Sequence, residues 1–216
     1  MSERPFSQDH PLVVAHRGAS ASHPENTLEA FEAAIAAGAD LVETDIRRGR
    51  DGALVLAHDP LGPGDDPLAL AVLLDLARGR VGLDLELKEP GLEGDLLALL
   101  EPEHRERLIV TSFLPGVVAE LRHLDATLAL GLLVEDGPDY ALPPDLLDAV
   151  RTCGADFLAP DVSLLGPETR RVAHEIGHGL SVWTVNEASL LTALATDPDV
   201  AIITTDVPAL ARSILG

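Results

Sequence analysis

Four short stretches carry the side chains that could do chemistry: His16-Arg17-Gly18, Glu43-Thr44-Asp45, His58-Asp59 and Asp84-Leu85-Glu86-Leu87-Lys88. Side chains alternate faces along a strand, so Glu43 and Asp45 point one way, as do Asp84, Glu86 and Lys88. Carboxylates gathered away from water repel one another and lose hydration unless a cation joins them. A metal ion is the natural candidate. Ligation by Glu43, Asp45 and Glu86 through oxygen alone favours a hard cation, Mg²⁺ or Ca²⁺, over zinc, because neither a cysteine nor a close histidine pair completes a softer site. His16 and His58 sit on separate strand ends beside these carboxylates, as imidazoles able to share proton transfer as base and acid near neutral pH. Arg17 and Lys88 add a planar fork and a point charge suited to phosphate oxygens. The histidines His10, His23, His104, His123, His174 and His178 fall in loops or helical stretches and read as solvated structural residues.

These groups work together only if the backbone brings their strands side by side. Short apolar, β-branched runs alternate with longer helical periodicity, the rhythm of parallel strands joined by crossover helices. The spacing predicts strands at Leu12–His16, Asp40–Ile46, Gly82–Lys88, Leu108–Phe113, Leu128–Val134, Asp156–Ala159, Leu180–Val185 and Val200–Thr204. It predicts helices near 26–37, 67–78, 92–104, 115–124, 144–153, 167–176, 187–196 and 208–214, several opened by Pro or an Asn/Asp cap. The result is a compact (β/α)₈ TIM barrel, in which the C-terminal strand ends form the active face. Ala53–His58 follows Asp40–Ile46 too closely for a crossover and reads as a hairpin arm, placing Leu56 near Asp45 and His58 near Glu43.

At 216 residues the chain suits one domain, residues 1–216 with a core at about 12–214. Hydrophobic residues make up 46% and aromatics 3%, so the core must be aliphatic. Acidic residues number 36 against 15 basic ones, a formal net charge of -21 whose field repels nucleic acid and anionic membranes. All the basic residues but Lys88 are arginines. Cys153, the single cysteine, excludes an intramolecular disulfide and suits a reducing compartment. Residues 1–11 show no signal-like apolar run and no stretch is long enough for stable membrane insertion, so a cytoplasmic location is expected.

The ordered set His16-Arg17-Gly18, Pro24-Glu25-Asn26-Thr27, Glu43-x-Asp45, Asp51-Gly52, His58-Asp59, Glu86-Leu87-Lys88, Ser112-Phe113, Trp183-Thr184-Val185-Asn186 and Thr205-Asp206-x-Pro208 resembles the glycerophosphodiester phosphodiesterase family, from Val14 to Pro208. The resemblance implies metal-dependent hydrolysis of a small-molecule phosphodiester to glycerol 3-phosphate and an alcohol. It assigns acid and base roles to His16 and His58, metal ligation to Glu43, Asp45 and Glu86, and phosphate contacts to Arg17 and Lys88. Trp183 matches a residue of the family's substrate cleft. Asn26 and the Thr205-Asp206 pair also read as helix caps, Asn26 with Glu29 as a capping box. Only 27 residues separate His58 from Glu86, so the family's usual insertion domain is essentially absent and the cleft should be more open. The alternatives are a lysophospholipase D-like enzyme acting on larger lipids and a non-catalytic barrel that binds a phosphorylated ligand. A sugar-phosphate isomerase would need a Gly-rich phosphate turn after the seventh or eighth strand, which Val185-Asn186-Glu187 and Thr205-Asp206-Val207 do not supply.

Overall fold

The computed structural model describes residues 10–137 and 142–216. Among these residues the strands are β1 (Leu12–Ala15), β2 (Leu41–Arg48), β3 (Leu54–Leu56), β4 (Gly82–Leu87), β5 (Leu108–Ser112), β6 (Ala129–Val134), β7 (Phe157–Pro160), β8 (Leu180–Val182) and β9 (Val200–Thr205). The helices are α1 (Leu28–Ala36), α2 (Leu70–Ala77), α3 (Glu93–Leu99), α4 (Pro102–Arg105), α5 (Pro115–Leu124), α6 (Leu146–Cys153), α7 (Pro167–Ile176), α8 (Ala188–Leu194) and α9 (Pro208–Leu215). Parallel neighbours run in the order β7-β6-β5-β4-β2-β1-β9-β8, and β3 lies antiparallel on β2. The ring comes nearly to closure between β7 and β8 at one parallel bridge, Asp161 to Trp183. It is the expected (β/α)₈ barrel, with no inserted domain between β3 and α2.

Local sequence accounts for most elements. In α6, Asp145 caps the first turn by accepting from Asp148 N–H at 3.0 Å, and Gly154 ends the helix in the left-handed region at φ +74°. Its buried residues Leu146, Val150 and Cys153 recur at helical spacing and pack on the barrel. Inside the ring, Phe157 fills the space left by Gly131, where an added Cβ would meet the ring at 2.4 Å. Leu12, Val14, Leu41, Ile109, Phe157 and Ile202 form an apolar layer at the N-terminal end of the barrel. No helix among the described residues is long and apolar enough to cross a membrane.

Three local expectations are corrected. The stretch expected as one helix over 92–104 breaks into α3 and α4, because Leu100 is extended and Pro102 has no N–H to continue α3. The hairpin register is one residue off the expected one: Leu56 faces Ile46 rather than Asp45. The turn is closed by Gly49 N–H donating to Ala53 O, with Gly52 at φ +88°, which lengthens the loop and shifts the returning arm. The cap of α1 is Thr27, which accepts from Ala30 N–H, so Asn26 is released from that role and the Asn26/Glu29 capping box does not form.

Candidate active site

The C-terminal strand ends converge on a cavity of about 560 Å³ lined by His16, Arg17, Glu43, His58, Glu86, Lys88 and Trp183, among others. Asp45, fully buried, stands opposite the lining residue Glu86 in the β2–β4 register. Candidate ligand oxygens of Glu43, Asp45 and Glu86 lie within 4.8 Å of one another. All the residues singled out in the sequence are thus brought together.

The turn after β1 is shaped by backbone conformation. Arg17 and Gly18 take φ +54° and +86°, and a Cβ on Gly18 would lie 2.6 Å from the Ala30 backbone of α1. Only glycine permits that approach. The turn aims Arg17 N–H at Glu43 Oε2, 2.9 Å away, while its guanidinium spans Asp45 (Nε to Oδ2, 3.1 Å) and Glu25 (2.9 Å). Lys88 Nζ sits 2.7 Å from Glu86 Oε1 and 3.5 Å from Asp45 Oδ1, at 5.5 Å from the Phe113 ring centroid.

Electrostatics marks the carboxylates as a set in need of positive charge. Burial lifts Glu43 well above the usual carboxylate range, and the charges of Asp45, Glu86 and Asp84 add to it. Burial also lifts Glu86 to about 7 against the pull of Lys88, and Asp84 to about 7 against the Thr111 hydroxyl. Burial would raise Asp45 as well, but Arg17, Lys88 and the Asn26 amide hold it below its ordinary value. Asp45 Oδ1 and Glu86 Oε1 are both buried and both face Lys88 Nζ, so two carboxylates share one ammonium. An oxygen-only set of this kind fits a hard divalent cation.

The two histidines are held differently. His16 Nδ1 pairs with Asp206 Oδ1 at 2.7 Å, and that hydrogen bond is the main reason Asp206 falls to about 2. Asp206 also accepts from Ser20 Oγ at 2.9 Å and from Asn186 Nδ2 at 2.6 Å. His58 Nδ1 lies 3.0 Å from Asp59 Oδ1 on an exposed rim, and Arg47 Nε donates to the His58 carbonyl at 2.9 Å. Glu89 holds Arg47 in turn, at 3.1 Å, so the hairpin arm is fastened to the end of β4.

Several supporting residues escaped the sequence reading. Asp206 does not cap α9, whose cap position is Val207; it orients His16 instead. Asn26, at φ +57° and buried, donates to Asp45 Oδ2 at 3.1 Å and accepts from Thr44 Oγ1 at 2.6 Å. Arg47 is a further cation on the cavity wall. Trp183 stacks edge to face on Phe113 with centroids 5.5 Å apart, and its Nε1–H donates to Ala159 O at 2.8 Å, so its ring is what it offers the cleft. Among the histidines read as solvated, His104 is instead buried, its Nδ1 accepting from Glu101 N–H at 3.1 Å.

A (β/α)₈ barrel whose mouth gathers buried carboxylates, imidazoles and cations has the form of a phosphoryl-transfer hydrolase. The glycerophosphoryl diester phosphodiesterase family model matches residues 16–71. A glycerophosphodiester phosphodiesterase from Caldanaerobacter subterraneus subsp. tengcongensis is 31% identical over 164 residues, covering 58% of this chain and 68% of the relative. A Mycobacterium tuberculosis protein whose name places it with these enzymes is 62% identical over 50 residues, which is 23% of this chain and only 18% of that protein's length. A crystal structure from Silicibacter pomeroyi DSS-3, designated a glycerophosphoryl diester phosphodiesterase, superposes with a TM-score of 0.82 at 25% identity, covering 98% of this chain and 95% of that one. The chain belongs to the glycerophosphodiester phosphodiesterase family.

Proposed function

We propose that the chain hydrolyses glycerophosphodiesters to glycerol 3-phosphate and an alcohol, with Mg²⁺ or Ca²⁺ as its cation. The observation that carries this reading is the convergence of three buried carboxylates, two histidines and two cations on one cavity. Glu43, Asp45 and Glu86 would hold the cation, which when bound would supply Lewis-acid stabilisation of phosphoryl charge. Arg17 and Lys88 would hold phosphate oxygens, and Trp183 with Phe113 would wall the cleft.

Proton transfer follows from the way each histidine is held. Ionised Asp206 accepts the Nδ1 proton of His16, which leaves Nε2 as the acceptor, so His16 takes the proton of the glycerol hydroxyl beside the phosphate. That oxygen bonds to phosphorus as the bond to the leaving alcohol breaks, and His58, at the exposed rim, protonates the alcohol. Water then opens the cyclic diester by the reverse proton movements and yields glycerol 3-phosphate. We read residues 12–214 as one catalytic domain, and propose a cytoplasmic setting, which the single buried cysteine suits.

Release of glycerol 3-phosphate from glycerophosphocholine or glycerophosphoethanolamine, with Mg²⁺, with Ca²⁺ and in excess chelator, tests the reading. Activity should require the cation, and His16→Ala and His58→Ala should each lower kcat by on the order of 10²-fold. Full turnover in chelator removes the cation from the scheme. A change in KM alone in both variants reduces the histidines to binding groups.

A further inference from the structure

The two histidines are anchored unequally. His16 follows β1 directly: its N–H donates to Thr205 O at 2.9 Å, its carbonyl accepts from Ser20 Oγ at 2.7 Å, and its ring pairs with Asp206. His58 stands one residue past the last backbone bond between its hairpin arm and β2, in which Ala57 N–H donates to Asp45 O at 3.0 Å. Its ring bonds to Asp59, its neighbour in sequence, whose own side chain is 88% exposed. Among the described residues, the hydrogen bond that ties His58 to the barrel is the one its carbonyl accepts from Arg47 Nε at 2.9 Å. Arg47 is itself fixed. Its side chain is 13% exposed, and Nη1 donates to Glu89 Oε2 at 3.1 Å while Glu89 Oε1 accepts the Arg48 N–H at 2.9 Å. A hydrogen bond from a charged donor shielded from water holds more firmly than a neutral one at the surface. Glu89 follows Lys88, whose N–H donates to Ile46 O at 3.2 Å. The end of β4 therefore carries Lys88 and, through Glu89 and Arg47, sets where His58 stands relative to it.

We propose that Arg47 and Glu89 are positioning residues for His58, a clamp that holds the hairpin arm so that the imidazole meets the departing oxygen. The inference rests on the proposed reaction for the acid role of His58. Proton donation requires hydrogen-bond reach, and a misplacement of about 1 Å can cost 10²-fold in rate. Arg47→Met leaves the arm paired with β2 through its backbone but frees the residue beyond the pairing. The cost then falls on the step that needs the acid. The alkoxide of choline must leave with a proton, whereas 4-nitrophenolate leaves as the anion, so the leaving group reports whether the acid is in place. Loss of a cation that merely binds phosphate would weaken both diesters alike.

The test compares glycerophosphocholine with the 4-nitrophenyl diester of glycerol 3-phosphate, hydrolysed by the full-length, cation-supplemented protein. The measure is kcat/KM, which reports the steps up to release of the alcohol. Arg47→Met and Glu89→Ala should each lower it at least about 10-fold on glycerophosphocholine and about 3-fold at most on the nitrophenyl diester. In a His58→Ala background Arg47→Met should cost nothing further, because the group it positions is gone. Amide exchange followed by NMR without substrate reads the clamp directly. The Ala57 amide should exchange roughly 10-fold faster in Arg47→Met, about the worth of one hydrogen bond, with the His16 amide unmoved. Equal losses on the two diesters, a further loss in the His58→Ala background, or an unmoved Ala57 amide overturns the proposal and leaves the phosphodiesterase standing. Faster exchange at Ala57 with no hydrolysis of either diester by the unaltered chain supports the clamp and overturns the reaction.

Discussion

His16 Nδ1 and Asp206 Oδ1 stand 2.7 Å apart although they lie 190 positions apart in the chain. The contact joins the end of β1 to the residue after β9, and Ser20 and Asn186 fix the carboxylate that makes it. In the proposed reaction Asp206 is a positioning residue that acts through His16. Asp206→Asn presents a group that can donate to Nδ1, which favours the tautomer with Nε2 protonated and spoils His16 as a base. The expected result is a fall in kcat of roughly 10²-fold with KM little changed. An unchanged kcat would show that the contact only braces the fold.

Cation binding should depend on pH in a defined direction. Glu86 and Asp84 hold protons in the folded chain up to about 7, whereas their ordinary values are 4.5 and 3.8. Raised acids reverse the usual carboxylate pattern: between those ordinary values and pH 7 the folded state binds more protons than the unfolded one, so stability of the cation-free protein falls as pH rises. A divalent ion removes the repulsion, and protons compete with it below pH 7. The rise in Tm on adding saturating Mg²⁺ or Ca²⁺ should therefore be larger at about pH 7.5 than at about pH 5. A gain independent of pH would detach these groups from the cation.

Asn26 links the first loop to β2 by bonding both Thr44 and Asp45. Asn26→Gly keeps the left-handed conformation accessible and removes both bonds. Cation affinity measured by calorimetry should drop about 10-fold, as for other partners that orient a ligand. Asn26→Ala should lose a further ~1–2 kcal/mol of stability in a denaturant titration, since alanine resists φ +57°. If affinity is unmoved, Asn26 holds only the loop.

Lys88 neutralises two buried carboxylates, and its own exposure is 8%. Lys88→Met should cost about 3–5 kcal/mol in chelator, the usual penalty for orphaning a buried partner. With Mg²⁺ or Ca²⁺ present the loss should be clearly smaller, because the cation takes over the neutralising charge. Denaturant midpoints under the two conditions give the comparison, and equal losses would contradict it.

The groups proposed for chemistry were legible because strand alternation and strand-end position are local properties. Glu43, Asp45, Glu86 and Lys88 needed only the period of two and the barrel rule to be placed together. Asp206 and Asn26 misled for a common reason. An Asp or Asn just ahead of a helical stretch has the composition of a cap, and nothing local says that its side chain turns instead toward a strand far away in sequence. The hairpin slip is of the same kind: one extra residue in a glycine turn is invisible to hydrophobic pattern but moves every facing pair. Pro102 is the local signal of the break that divides the stretch 92–104 into α3 and α4.

The bridge between Asp161 and Trp183 leaves the ring unevenly paired. β2 and β4 run paired over six residues from Leu41 to Ile46, and they carry the carboxylates and the lysine. Across the molecule, β7 and β8 meet at the one bridge whose partner is the tryptophan of the cleft. The carboxylate side of the cleft is therefore built like an anvil on a long strand pairing, and the tryptophan side is latched at a single point.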